Sequence, residues 1–169
     1  MQAGAKRRAG TALALLATLA VGACGTMRFA GGLPPGTPIE EARRAIGGPT
    51  GQHSLPGGGT RLEFAQGSFG KQTYMLDFDP GGRLVSSQQV LTEANFATIQ
   101  PGMTRDELLR GLGRPVAVFG VPRQGIAVWN YRYFTGDCVL FQVSVSDTGR
   151  VTGTGQGPDP VCDGPNARD

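Results

Sequence analysis

Few side chains in this chain could do covalent or acid–base chemistry. There are three cysteines, Cys24, Cys138 and Cys162, and one histidine, His53. His53 lies in a polar stretch after Pro49 with no second ligand beside it, so it reads as a solvated loop residue. Metal binding would need a cluster of ligands. Asp77 and Asp79 are close in sequence, but Asp79 precedes Pro80 and reads as a turn former. A carboxylate pair for acid–base work would need a cleft, and the sequence gives no sign of one. Gly70-Lys71 falls short of a phosphate loop, because Ala65 stands where that loop has its first Gly and no Ser or Thr follows the Lys. No helical pattern follows Gly153-Thr154-Gly155-Gln156-Gly157, so it is not a dinucleotide fingerprint. The expectation is a non-enzyme with no catalytic residue, no metal and no cofactor.

The cysteines are more informative. Lys6, Arg7 and Arg8 precede the apolar run from Leu13 to Ala23, and small residues lead to Cys24. That order is the order of a bacterial export signal. The run is too short to span a bilayer, which takes about 20 residues. Val21-Gly22-Ala23-Cys24 resembles a lipobox, where bacterial lipoproteins are cut and acylated on the new N-terminal Cys. The alternative is a plain secretory signal in which Cys24 is incidental. The resemblance implies a diacylglyceryl group plus an amide-linked palmitate-type chain, and two such anchors hold a protein stably on a membrane. Gly25 follows Cys24 in place of the Asp of inner-membrane retention, so the expected location is the outer membrane, with the body facing the periplasm.

Export changes the reading of charge. The full chain carries 16 basic and 13 acidic residues, and loss of residues 1–23 leaves 13 of each. The mature chain is then near neutral and has no basic stripe, so nucleic acid is not an expected partner. In an oxidising compartment Cys138 and Cys162 can pair. Such a bridge closes a loop of about 25 residues and contributes on the order of 3 kcal/mol. Free thiols or intermolecular pairing are the alternatives. A redox-active pair would show Cys-x-x-Cys spacing.

The chain repeats itself. Pro35 to Pro49 aligns without a gap on Pro101 to Pro115 at an offset of 66. At an offset of 67, Leu62-Glu63-Phe64 falls on Trp129-Asn130-Tyr131, and Tyr74, Leu76 and Phe78 fall on Phe141, Val143 and Val145. Gly82-Arg83-Leu84 falls on Gly149-Arg150-Val151.

Each unit predicts a short helix. Thr37 or Thr104 can cap it, and Thr104 with Glu107 forms a capping box. Leu108, Leu109 and Leu112 make an apolar stripe, and Gly47 or Gly113 followed by Pro ends the helix. Strand material follows: Arg61 to Phe64, Thr73 to Phe78 and Arg83 to Leu91 in the first unit. In the second it is Val128 to Tyr133, Val139 to Val145 and Arg150 to Thr154. Thr92 to Ile99 predicts a further helix with Phe96 and Ile99 inward. Its counterpart in the first unit is the Gly-rich tether. The fold expected is α+β, with short helices on a three-stranded antiparallel sheet in each of two units. The divisions are 1–23 signal, 24–34 lipidated tether, 35–91 first unit, 92–157 second unit and 158–169 tail.

Gly102-Met103-Thr104, Leu112-Gly113-Arg114-Pro115, Trp129-Asn130-Tyr131 and Asp147-Thr148-Gly149 together resemble the SmpA/OmlA (BamE-like) family of outer-membrane lipoproteins. The resemblance covers about residues 92–152 and is weaker over 35–90. It implies a non-enzymatic accessory of the β-barrel assembly machinery that contacts protein partners and anionic lipid. Gly102, Met103, Gly113, Pro115, Trp129 and Tyr131 are the motif residues. Trp129 and Tyr131 suit packing between helix and sheet, with an exposed partner face as the alternative for Trp129. The doubling departs from that family. It is similar to the tandem units of the β-lactamase-inhibitor proteins, which implies binding or inhibition of a periplasmic enzyme through a concave sheet surface. The expected contact regions are the loop Gly51 to Thr60, the loop Phe119 to Gly125 and the aromatics from Trp129 to Phe134.

Cells fed an alkyne-tagged palmitate should label this protein, and Cys24→Ser should abolish the label. Full labelling of the variant would rule out the lipobox.

Overall fold

The computed structural model describes residues 30–66 and 70–163. Cys24, the expected signal and the start of the expected tether lie outside the described residues. The architecture is α+β, with two four-stranded antiparallel sheets and three short α-helices among the described residues. In chain order these are α1 (Ile39–Ile46), β1 (Gly51–Ser54), β2 (Thr60–Gln66), β3 (Gln72–Phe78), β4 (Leu84–Gln89), α2 (Glu93–Phe96), α3 (Arg105–Leu112), β5 (Ala117–Val121), β6 (Ile126–Arg132), β7 (Val139–Ser146) and β8 (Val151–Pro158). The sheets run β1-β2-β3-β4 and β5-β6-β7-β8, each a meander. No helix among the described residues is long and apolar enough to cross a membrane.

The expected three-stranded sheet is corrected to four strands. The extra strands are β1 and β5, which fall in or beside the regions read as loops. Gly51-Gln52-His53-Ser54 has no apolar alternation to announce a strand. Ala117 to Val121 is interrupted by Gly120 and bracketed by Pro115 and Pro122, all breaker signals. Both strands form because β2 and β6 offer an open ladder beside them, at Gly51↔Glu63 to Ser54↔Thr60 and at Ala117↔Asn130 to Val121↔Ile126.

The duplication reappears bond for bond. Gly36 N–H donates to Leu84 O at 2.8 Å, as Gly102 N–H does to Val151 O. Ile39 N–H donates to Gly82 O at 2.9 Å, as Arg105 N–H does to Gly149 O. Arg83 Nη1 reaches Gly36 O at 3.2 Å, and Arg150 Nη1 reaches Gly102 O at 2.9 Å. The register slips at Asp77/Phe78 and again at Ser144/Val145, the same place in each sheet. These contacts tie each helix start to the β3–β4 or β7–β8 turn.

Capping differs between the copies. Thr104 caps α3 through a full capping box, with Glu107 Oε2 accepting from Thr104 N–H at 2.7 Å. That backbone bond, aided by the Thr104 hydroxyl, holds the Glu107 carboxyl below its ordinary range. The cap expected from Thr37 does not form. Pro38 holds the N-cap position, and the Thr37 hydroxyl donates to Pro34 O at 2.6 Å instead. Residues Ala30 and Leu33, expected in the tether, are buried in the first core. They fall one repeat before Phe96 and Ile99, so the short 3-10 turn Ala30–Gly32 stands where the second unit has α2.

Two cores result. The first joins Ala42 and Ile46 of α1 to Leu62, Phe64, Tyr74, Leu76, Phe78 and Leu84. The second joins Phe96, Leu108 and Leu112 to Trp129, Tyr131, Tyr133, Phe141, Val143 and Val145. Phe96 stacks on Phe141 with centroids 4.1 Å apart and meets Tyr133 edge-on at 4.9 Å. Trp129 and Tyr131 are thus core residues, and Arg105 lies 5.8 Å from the Trp129 ring centroid. At the C-terminus Cys138 and Cys162 are bridged, with Cα atoms 6.0 Å apart. Arg132 Nη2 donates to Asp159 Oδ1 at 2.8 Å beside the bridge, and this bond depresses the Asp159 carboxyl.

Replacing both Cys138 and Cys162 by Ser should lower urea stability by about 3 kcal/mol, the loop-entropy value. An unchanged unfolding midpoint would show that the bridge does not constrain the fold.

Candidate functional site

Two features stand out as places where the chain could meet another molecule or fix its own geometry. One is the seam between the units and the other is the β5 edge.

The first sheet has two occupied faces. Leu62, Phe64, Leu76 and Phe78 face α1. The alternate positions Arg61, Glu63, Met75 and Asp77 face the second unit's helices. Met75, Val90 and Leu91 belong to the second core, with Leu108 and Leu112. A cleft of about 180 Å³ remains there, lined by Arg61, Asp77, Gln88, Asn95 and Gly111 among others. Arg61 holds Asp77 with two bonds, Nε–Oδ1 at 2.6 Å and Nη2–Oδ2 at 2.7 Å. Its Nη1 donates to Arg110 O, near the end of α3, at 2.8 Å. The bond to Asp77 raises the Arg61 pKa further, against the opposing effect of burial. A cation at a helix C-terminus also complements the helix dipole.

Glu63 is the central residue of the seam. It is 1 % exposed. Its Oε1 accepts from the Thr50 hydroxyl at 2.9 Å and from Arg114 N–H at 3.2 Å. Two glycines make its slot. A Cβ on Gly51 would sit 2.6 Å from Glu63 Oε2, and one on Gly113 would sit 2.9 Å from Glu63 Cδ. Gly113 has φ +79°, so it both ends α3 and lets the helix end approach the carboxylate. Tyr131 closes the far side, its hydroxyl donating to Gly113 O at 3.1 Å. Burial first, and the Glu63 charge second, raise the Tyr131 pKa.

His53 is not the solvated loop residue expected. It lies on β1 with its side chain 18 % exposed, and its Nε2 is 3.7 Å from Glu63 Oε2. Neither of those two atoms has a hydrogen-bond partner among the described residues. Asp77 and Asp79 are not an acid–base pair: Asp77 holds Arg61, and Asp79 Oδ1 accepts from Arg83 N–H in the turn at 2.9 Å. No group of three or more His, Cys, Asp or Glu is placed to hold a metal ion among the described residues.

The motif residues divide between these features. Gly113 and Tyr131 meet at the seam, Trp129 lies in the second core, and Gly102 and Met103 bond to Val151 in the turn contact. Pro115 precedes β5. Of the expected contact regions, Trp129, Tyr131 and Tyr133 are buried, while Phe134 is exposed with Lys71 5.9 Å from its ring centroid. On β5 Val118 is 51 % and Phe119 58 % exposed, with Val116 also exposed just before the strand. The sequence signal for this patch was the apolar run itself, masked by the flanking prolines.

No protein-family model matches the chain, and no curated protein matches it. Among solved structures the chain is similar to a cysteine-rich secretory protein from Staphylococcus aureus subsp. aureus Mu50, at 12% identity and a TM-score of 0.29. The match covers 75% of this chain and 45% of that one, so the chain spans less than half of that neighbour's length.

Glu63→Ala should destabilise the protein by roughly 2–4 kcal/mol, because it strips Arg114 N–H of its acceptor, leaves the Thr50 hydroxyl only the Glu63 backbone carbonyl, and opens a cavity. Urea unfolding measures this. A loss below about 0.5 kcal/mol, the usual range for surface changes, would mean Glu63 does not hold the seam.

Proposed function

We propose that this protein is a periplasm-facing outer-membrane lipoprotein, anchored through Cys24, that acts by protein contact. In this reading it is a non-enzymatic scaffold or accessory in β-barrel protein assembly and envelope integrity. Each unit is a BamE-like module. The partners are the assembly machinery and anionic lipid. The observation that carries the reading is the grouping of exposed Val116, Val118 and Phe119 on one open strand edge. Apolar side chains gathered this way on a protein surface mark contact sites. The export signal and lipobox pattern would put that edge in the periplasm.

A second reading is a binder or inhibitor of a periplasmic enzyme. The tandem four-stranded sheets favour it, because they are similar in plan to the inhibitor's paired units. Fold analogy alone is a weak warrant for function.

Tagged lipoprotein should be purified, after crosslinking, from gently solubilised outer membranes, with Cys24→Ser as control. The scaffold reading expects the barrel-assembly machinery, lost in the control. Recovery of a soluble periplasmic enzyme in its place would sink that reading in favour of the inhibitor.

A further inference from the structure

Strand β5 is an outer edge of the second sheet, so among the described residues one side of its backbone has no strand beside it. The duplication supplies an internal control, because β1 holds the same place in the first sheet. The two edges have different chemistry. β1 is the polar Gly51-Gln52-His53-Ser54, and its His53 turns toward buried Glu63. β5 is Ala117-Val118-Phe119-Gly120-Val121, with Phe119 in the position of His53.

Natural edges are usually blunted by charge, proline or a covering segment. The opposite edge of the first sheet is covered: Ser87 Oγ on β4 donates to Ala30 O at 3.1 Å. The opposite edge of the second sheet, β8, is rich in glycine and closes on Pro158. β5 has neither charge nor proline within its five residues, and Gly70 comes near it only at Val116, just before the strand. Charge begins just beyond its ends. Arg114 and Arg123 are both exposed, one on each side of the strand. Neither guanidinium is hydrogen-bonded or ion-paired to a described residue.

We infer that the β5 edge takes up an extended peptide as an added strand, one with apolar residues at alternate positions and carboxylates near its ends. The inference deepens the scaffold reading and rests on it, since it names the kind of partner that the apolar edge accepts. Each feature of the partner follows from a feature of the edge. An open strand offers N–H and C=O groups at a spacing that only another extended chain matches. Val116 and Val118, two residues apart, ask for apolar side chains at alternate positions on one face, while Phe119 lies on the other face. Arg114 and Arg123 ask for carboxylates at the ends. The same arginines oppose a second copy as occupant. Antiparallel pairing of β5 with itself about its centre would bring Arg114 of one copy toward Arg123 of the other at both ends, and facing like charges destabilise such pairs.

The test uses the full mature lipoprotein in detergent and fluorescein-labelled synthetic peptides, read by anisotropy. The probe is a short alternating valine–threonine peptide with aspartate at each end. It should bind saturably and about tenfold tighter than the same peptide ended by lysine. Proline in place of its central valine should abolish binding, because proline cannot complete a ladder. The surface variant Arg114→Glu/Arg123→Glu should invert the preference for end charge. Equal binding of the two peptides, undiminished binding of the proline peptide, or a dimer that excludes the peptide would each overturn the proposal. Peptide failure with co-purification of the assembly machinery intact would sink the edge proposal alone. Peptide binding without that co-purification would leave the edge standing and sink the assembly reading.

Discussion

Helix α3 has to satisfy two sheets at once, and the rest of the arrangement follows from that. Its apolar stripe, Leu108 and Leu112, fills the second core, where Met75 of the first sheet also lies. Its C-terminal end carries carbonyl groups that a helix cannot satisfy internally, and the Arg114 N–H just beyond that end needs an acceptor as well. The first sheet supplies both kinds of partner: Arg61 donates to Arg110 O, and Glu63 accepts from Arg114 N–H. A buried carboxylate is costly unless its acceptor sites are filled. Glu63 therefore needs the α3 end as much as α3 needs Glu63. Gly51 and Gly113 are what let the two approach closely enough.

Duplication explains the plan, and divergence sets the two sheets apart at the positions that meet α3. The positions that receive α3 on the first sheet are Arg61, Glu63, Met75 and Asp77. One repeat later they are Val128, Asn130, Gln142 and Ser144. The buried polar group is kept at Asn130, but it is satisfied within its own sheet, by Gln142 Nε2 at 2.9 Å. At these four positions the second sheet carries no charged acceptor or donor. Its β5 edge is apolar where the β1 edge of the first sheet is polar. The segment after β8 is held by the Cys138–Cys162 bridge and the Arg132–Asp159 pair.

What the sequence makes legible is what depends on local pattern. Period and offset reveal the two units, the Thr104 capping box, the inward turn of Phe96 and Ile99, and the core placing of Trp129 and Tyr131. The cysteine pairing is legible from count, because Cys138 and Cys162 are the two cysteines outside the N-terminal export pattern. The misses share one cause, which is that tertiary contact overrides local pattern. Alternation in Arg61-Leu62-Glu63-Phe64 assigns Glu63 to an outer face, and only the fold shows that α3 covers that face. His53 looks solvated for the same reason. β1 and β5 lack strand signals because their strand state comes from the neighbour they pair with. Thr37 was expected to cap because it precedes a helix, yet Pro38 sits where Thr104 does in the other copy.

Shared use of α3 implies that the two units unfold together, and one residue makes this directly measurable. Trp129 is the chain's single tryptophan and lies in the second core. Urea unfolding of the protein should be followed by Trp129 fluorescence and by far-ultraviolet circular dichroism, which reports both sheets. The seam as described predicts one transition with coincident midpoints. Two separated transitions, with the fluorescence change confined to one of them, would mean that the units stand independently and that Glu63 does not join them.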